Sequence, residues 1–148
     1  MPLPRRAKLE HIPPNWVKGC PIFFITVCAA ERGKNQFCEP GIADAIFKAI
    51  AFYQVKQRWY VQLLLLMPDH LHASISFPPD QTMESVIRAW KHFLAKQHGI
   101  HWQRDFFDHR IRQDESHEEK TAYIRSNPVR AGLVTKPEDW PYVWEPPR

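Results

Sequence analysis

The alternation of polar and apolar residues predicts a β-hairpin in the middle of the chain. Over residues 70–77, histidine and serine alternate with leucine, alanine, isoleucine and phenylalanine. Because successive side chains of a strand point to opposite faces, this stretch predicts a strand with one polar and one apolar face. The apolar run 60–66 precedes it across the turn-forming Met67-Pro68-Asp69 and predicts a buried partner strand. The hairpin would carry His70 and His72 on its polar face.

Helical periodicity predicts three helices around this hairpin. Apolar residues recur every three or four positions over 41–57 and again over 83–98, as on one face of an amphipathic helix. A third helix is predicted to open at the capping box Ser116-x-x-Glu119. Proline restricts the residue before it, so this helix is predicted to stop or kink near Asn127, with a further turn over 128–131.

The order of the predicted elements indicates the fold class. The β-branched and aromatic run 22–28 predicts a first strand, and residues 101–112 predict a loop that leads to a last strand. The resulting order β-α-β-β-α-β, with a late helix, is typical of an α+β, ferredoxin-like sandwich, in which helices pack mainly on one face of an antiparallel sheet. A length of 148 residues fits a single domain, 1–148, with proline-rich extended arms at about 1–18 and 135–148.

Composition narrows the class of protein. No window approaches the roughly 18 apolar residues of a membrane span, and no hydrophobic stretch follows the basic N-terminus, so we predict a cytoplasmic protein without membrane association. The three cysteines form neither an even disulfide set nor a Cys-x-x-Cys pair, which predicts simple thiols. A net charge of +4 fits a polyanionic partner such as nucleic acid without establishing one.

Four side chains are candidates for chemistry. Two imidazoles on one polar strand face, at His70 and His72, suggest a metal ion, although two surface histidines would give the same pattern. Tyr123 and Asn127 lie four residues apart, which puts a phenol and an amide on one face of the third helix if the turn holds. They would join the histidines if that helix packs across the same sheet face. The spacing alone equally allows Asn127 to cap the turn at Pro128 and Tyr123 to be a half-buried structural residue.

Two stretches carry a resemblance to a known family. Met67-Pro-Asp-His-Leu-His72 resembles the Met-Pro-Asn-His-hydrophobic-His motif of the single-tyrosine HUH transposases. Residues 123–134, Tyr-Ile-Arg-Ser-Asn-Pro-Val-Arg-Ala-Gly-Leu-Val, resemble the signature of their REP-associated tyrosine transposase branch. Between the two stretches, the family's segment is matched by Trp102-Gln103, a phenylalanine at 106 or 107, Asp108-His109 and Ile111-Arg112. The matches run in order over about residues 20–144, and Asp69 stands where the family commonly has asparagine.

The resemblance implies an enzyme that cleaves and rejoins single-stranded DNA next to a hairpin formed by a palindromic repeat. By position, Tyr123 would be the nucleophile and form a covalent 5′-phosphotyrosine intermediate, while His70, His72 and Asn127 would be the ligands of a divalent metal. The family also implies a sheet of five antiparallel strands. Two imidazoles and one amide oxygen suit Mg²⁺ or Mn²⁺, and Zn²⁺ is admitted by affinity alone.

Basic residues supply the candidate DNA contacts. Phosphate binding by lysine and arginine would anchor the substrate near the nucleophile, although a basic helix face is often merely solvated and a basic arm is often idle. The candidates are Arg5, Arg6, Arg88, Lys91, Lys96, Arg110, Arg112, Arg125 and Arg130.

Two other functions fit the same residues. A protein with this fold could bind hairpin DNA without cleaving it, or it could be a metal-dependent phosphodiesterase that uses bound water and leaves Tyr123 structural. Only the transposase-like function predicts a covalent protein–DNA adduct. With one catalytic tyrosine per chain, strand exchange needs either two protomers or sequential use of one site, so both a monomer and a homodimer stay open.

Overall fold

A five-stranded antiparallel sheet organises the fold, in the order β4-β1-β3-β2-β5. The computed structural model describes residues 13–112 and 115–147. The elements in chain order are β1 (Ile22–Cys28), α1 (Pro40–Val55), β2 (Tyr60–Leu66), β3 (His70–Ser76), α2 (Met83–His98), β4 (Phe107–Arg110), α3 (His117–Arg125), α4 (Asn127–Arg130) and β5 (Val143–Trp144). The α+β fold class and the number of strands are therefore confirmed.

The apolar face of the sheet carries the main core. Leu71, Ala73 and Ile75 of β3 are buried there, together with the alternate residues of β1 and β2. Helices α1 and α2 pack on this face and contribute their apolar stripes. Burial of these side chains is the main stabilising term in folding, and it fixes the register of β3, because a shift by one residue would turn both histidines into the core.

The third helix lies on the opposite face of the sheet, which is the face of the histidines. Ile124 of α3 is buried there in a second apolar cluster with Leu63, Leu65 and Met67. This face is not uniformly polar, because β2 is apolar on both of its sides and offers Leu63 and Leu65 to a covering helix. The helices thus divide into two long ones on one face and the short α3 and α4 region on the other.

Local signals set the ends of α3 and α4. The Ser116 hydroxyl accepts a hydrogen bond from the backbone N–H of Glu119 at 3.2 Å, as the capping box predicts. Helix α3 ends at Arg125, Ser126 separates the two helices, and α4 closes before Gly132, whose φ of 76° suits glycine. The predicted break thus lies within two residues of Asn127.

Part of the predicted C-terminal arm joins the sheet. Strand β5 pairs with β2, and the indole N–H of Trp140 donates to the carbonyl of Leu66 at 2.9 Å. The carboxylate of Glu145 forms an ion pair with Arg125 on α3. No helix in the described ranges is long and apolar enough to cross a membrane.

We expect Ile124→Ala to lower the free energy of unfolding by about 2–3 kcal/mol, because it leaves a cavity under α3. The better helix propensity of alanine offsets only a few tenths of a kcal/mol. Urea denaturation followed by circular dichroism measures the change. Leu133→Ala is the matched control, since Leu133 is 46% exposed and its truncation creates no cavity. A loss for Ile124→Ala no larger than that of the control would show that α3 is not anchored through this side chain.

Candidate active site

The two histidines of β3 lie side by side, with one nitrogen of each ring already engaged. Their ring centroids are 4.9 Å apart. Nδ1 of His70 lies 2.7 Å from a carboxylate oxygen of Asp69, and Nδ1 of His72 lies 3.0 Å from the hydroxyl of Thr26. In the part of the chain that the structure describes, neither Nε2 atom forms a hydrogen bond. A metal-binding imidazole needs this arrangement, in which one ring nitrogen is held by a neighbouring group and the other is open for the metal.

Asp69 connects the histidine pair to the loop after β1. One of its oxygens faces His70, and the other accepts hydrogen bonds from the side chain of Arg32 at 2.9 Å and from the backbone N–H of Gly33 at 2.8 Å. Partial burial raises the pKa of Asp69, but the hydrogen bonds from Gly33, His70 and Arg32 outweigh it and hold this pKa well below its usual range. A carboxylate that accepts from Nδ1 fixes the tautomer of His70 and leaves the Nε2 lone pair for a ligand.

His72 is kept neutral by its surroundings. Burial lowers the pKa of His72 to about 4, and charge repulsion from Arg130, and from His70 when it is protonated, acts in the same direction. A neutral imidazole is the form that binds a metal ion, so at neutral pH His72 needs no deprotonation to act as a ligand.

We expect the titration of His72 to make the protein less stable in mild acid. The folded-state pKa lies below the unfolded value of about 6.5, so the stabilisation is complete above that pH. It is lost as the pH falls toward 4, by up to about 3 kcal/mol. Stability from Asp69 is lost only below its unfolded pKa of about 3.9, outside this window. Urea denaturation at several values between pH 7 and 4.5 should show a smaller loss for His72→Gln than for wild type. His92→Gln, at an exposed position of α2, should keep the wild-type dependence.

Helix α3 brings the predicted nucleophile to the same sheet face. Ile124 is buried in one apolar cluster with Leu65, and Leu65 is the residue of β2 that lies opposite His72 in the sheet. His117, at the start of the helix, places its Nε2 2.9 Å from the hydroxyl of Ser74 on β3. Tyr123 precedes Ile124 and is 65% exposed. One end of α3 is thus held by β3 and the other by β2, both on the sheet face that carries the histidines, which is the packing that the hypothesis of a shared site requires.

The side chain of Asn127 makes two hydrogen bonds. Its amide nitrogen donates to the carbonyl of Ile124 at 3.0 Å, and its amide oxygen accepts from the guanidinium of Arg130. Asn127 is the first residue of α4 and forms no capping hydrogen bond, so the interpretation of Asn127 as a helix cap is wrong. An amide oxygen has two lone pairs, and Arg130 uses one of them. The role of Asn127 as a third metal ligand stays a prediction, and it would use the second lone pair of this oxygen.

The candidate DNA-contacting residues differ in exposure. Lys91 is only 9% exposed, and its ammonium donates to the backbone carbonyls of Gln103 at 2.8 Å and Arg104 at 3.2 Å. The segment after α2 covers this position, so Lys91 does not belong to the exposed basic face on which helical periodicity placed it. Arg125 is partly exposed and paired with Glu145. Arg5 and Arg6 lie outside the described residues, and the exposed candidates are Arg88, Lys96, Arg110, Arg112 and Arg130.

Sequence reasoning missed the residues that hold the histidines in place. Thr26 lies opposite His72 in the register of β1 and β3. Arg32 and Gly33 belong to the loop after β1, which wraps the Pro68-Asp69 turn through hydrogen bonds from the backbone N–H groups of Gln36 and Phe37 to the carbonyl of Pro68. The one available signal was Asp69, which stands where the family commonly has asparagine. An additional carboxylate beside a histidine pair indicates that a positively charged or hydrogen-bond-donating group lies nearby.

Two curated proteins align with this chain. A candidate REP-associated tyrosine transposase of Haemophilus influenzae is 25% identical over 142 residues, which cover 82% of this chain and 77% of that protein. The REP-associated tyrosine transposase of Escherichia coli K12 is 31% identical over 81 residues, which cover 53% of this chain and 49% of the relative. No family model matches the chain.

Two solved structures share the fold. A REP-associated tyrosine transposase bound to a REP hairpin superposes with a TM-score of 0.73 at 25% identity, over 90% of this chain and 81% of the other. A candidate transposase from Deinococcus radiodurans superposes with a TM-score of 0.51 at 12% identity, over 85% and 97% of the two chains, and shows the fold alone. The resemblance seen in the sequence is thereby confirmed, and the chain is similar to REP-associated tyrosine transposases in both sequence and fold.

Proposed function

We propose that this protein cleaves and rejoins single-stranded DNA beside a hairpin, with Tyr123 as the nucleophile and His70 and His72 as ligands of Mg²⁺ or Mn²⁺. The observation that carries the proposal is the packing of α3 across the sheet face of the histidines, through Ile124 and His117. The covering helix bears the phenol, and the covered strand bears the imidazole pair. The homologous structure bound to a REP hairpin supports a DNA hairpin as the partner.

Different residues of the chain would have different roles in cleavage. Asp69 and Thr26 orient the two imidazoles with Nε2 outward. When bound there, Mg²⁺ or Mn²⁺ would polarise the scissile phosphate and stabilise its developing charge. Exposed arginines would hold the backbone of the DNA by phosphate contacts. Asn127 is proposed as the third ligand.

The chemical step follows from the tyrosine. The phenol oxygen of Tyr123 bonds to phosphorus, the bond from phosphorus to the 3′ oxygen breaks, and the phenol proton passes to solvent while the released oxygen takes up a proton. The products are a 5′-phosphotyrosine linkage and a free 3′ hydroxyl. Attack by a 3′ hydroxyl reverses the step and restores the tyrosine. One phosphodiester is exchanged for another, so rejoining needs no nucleoside triphosphate.

The test is a search for the covalent adduct. Wild-type protein is incubated with a single strand that carries a hairpin and a 3′ flank and is labelled at its 3′ end, the end that the 5′-phosphotyrosine linkage retains. The reactions contain Mn²⁺, Mg²⁺ or EDTA and are resolved on a denaturing gel. We expect a labelled band at the mass of protein plus DNA, dependent on metal. A strand of the same composition that cannot form a hairpin is the matched control and should give little adduct. Hairpin binding without adduct under either metal would instead support a non-catalytic binding protein.

A further inference from the structure

The side chain of Arg130 reaches back from α4 to the predicted nucleophile. Its guanidinium carbon lies 3.8 Å from the centroid of the Tyr123 ring, within the range of a cation–π contact. One of its nitrogens donates to the backbone carbonyl of Tyr123 at 3.0 Å. The guanidinium also donates to the hydroxyl of Ser126 and to the amide oxygen of Asn127. Arg130 is thus fixed against the ring by three hydrogen bonds.

Hydrogen bonding to the free carbonyls at a helix C-terminus does not by itself account for this geometry. Basic side chains near the C-terminus of a helix commonly bind its last carbonyls, and the hydrogen bond to the Tyr123 carbonyl fits that explanation. That explanation does not require the guanidinium to lie over the phenol ring or to donate a hydrogen bond to Asn127. Arg125, in the last turn of α3 itself, pairs with Glu145 instead. The contact with the ring is therefore specific to Arg130.

The ring of Tyr123 has little else to hold it. The residue is 65% exposed, and in residues 13–112 and 115–147 no hydrogen bond engages its phenol oxygen. A nucleophile that must attack phosphorus in line loses rate when its side chain samples other rotamers. A planar cation stacked on the ring restrains the side chain and leaves the oxygen accessible.

We propose that Arg130 is a positioning residue for strand cleavage, whose guanidinium holds the ring of Tyr123 in place while Asn127 brackets the guanidinium. This role rests on the proposed function. Lysine cannot substitute, because an ammonium keeps the charge but lacks the plane that stacks and the fork that reaches Ser126 and Asn127 together.

The experiment separates positioning from DNA binding. Hairpin affinity and the single-turnover rate of adduct formation at saturating DNA are measured for wild type, Arg130→Lys and Arg130→Gln. We expect Arg130→Lys to bind DNA within about threefold of wild type and to form adduct about tenfold more slowly or worse, with no rescue relative to glutamine. Lys136→Gln removes an exposed charge from the segment after α4 and is the matched control, with wild-type values expected.

Other outcomes contradict the role of Arg130. A wild-type rate at saturation in both Arg130 variants, with weaker binding in the glutamine variant, would make Arg130 a phosphate contact only. The contact itself is tested without DNA by the aromatic NMR signals of Tyr123, assigned by their absence in Tyr123→Phe. We expect them to shift in both Arg130 variants and not in Lys136→Gln, and unchanged signals would overturn the stacking. Wild-type protein that forms no adduct would instead contradict the proposed function.

Discussion

Tyr123→Phe should abolish the covalent protein–DNA adduct and leave hairpin binding within about threefold of wild type. The substitution removes only the phenol oxygen, which is the atom proposed to bond to phosphorus. The ring that contacts Arg130 is retained, and α3 stays anchored by Ile124, so the fold and the basic surface are unchanged. The measurement is the denaturing gel, run beside a native binding assay on the same labelled strand.

The control for this prediction is a tyrosine outside the site. Tyr142→Phe removes one phenol oxygen from the segment before β5 and should leave adduct formation at the wild-type level. Cleavage that persists in Tyr123→Phe with no protein attached to the DNA would contradict the phosphotyrosine mechanism. Such a result would favour the phosphodiesterase that uses bound water.

Replacing both His70 and His72 by alanine should lower metal-dependent cleavage by about a hundredfold to a thousandfold, which corresponds to about 3–4 kcal/mol of lost transition-state stabilisation. The pair is proposed to supply the two imidazole ligands, and Asp69 and Thr26 cannot replace Nε2 atoms that point away from them. Hairpin binding should change little, because the proposed phosphate contacts are made by arginines elsewhere on the surface. Mn²⁺ binding to the free protein, followed by electron paramagnetic resonance, gives a second readout that does not depend on activity.

His92→Ala is the matched control, since His92 is an exposed histidine of α2 on the other side of the sheet. It should keep wild-type cleavage and Mn²⁺ binding. If the double variant kept full metal-dependent cleavage, the histidine pair would not be the metal site, and both imidazoles would be structural residues of a half-exposed strand.

Strong local patterns were predictable from the sequence. The bounds of β1, β2 and α2 match the predicted 22–28, 60–66 and 83–98. The two strands are continuous apolar runs, and α2 combines a clear helical period with a glycine just after its end. The cap at Ser116 followed from four consecutive residues. Strand β5 was not located, because a two-residue strand in a proline-rich segment has no period of its own and forms only where the edge of β2 is available.

The structure differs from the sequence-based expectations at two side chains, Lys91 and Asn127. Lys91 has a polar position in the helical period of α2, yet the carbonyls of Gln103 and Arg104 cover it. The spacing equally allowed Asn127 to cap the turn at Pro128, yet its side chain is engaged by Ile124 and Arg130, three residues away on either side. Periodicity and propensity describe the backbone and the faces of a helix, and they do not specify which side-chain hydrogen bonds form.

The sequence by itself determined which residues share a face, where the main helices begin and end, and the resemblance to the REP-associated tyrosine transposases, because these are encoded in short-range periodicity, capping residues and motifs. Only the tertiary structure decided that α3 covers the face of the histidines, that Asp69 and Thr26 orient the two imidazoles, and that Arg130 lies on the ring of Tyr123. Those contacts depend on where β2 presents Leu63 and Leu65 to Ile124. The physical reason is that burial of apolar surface between elements, which no local pattern specifies, selects how the elements meet.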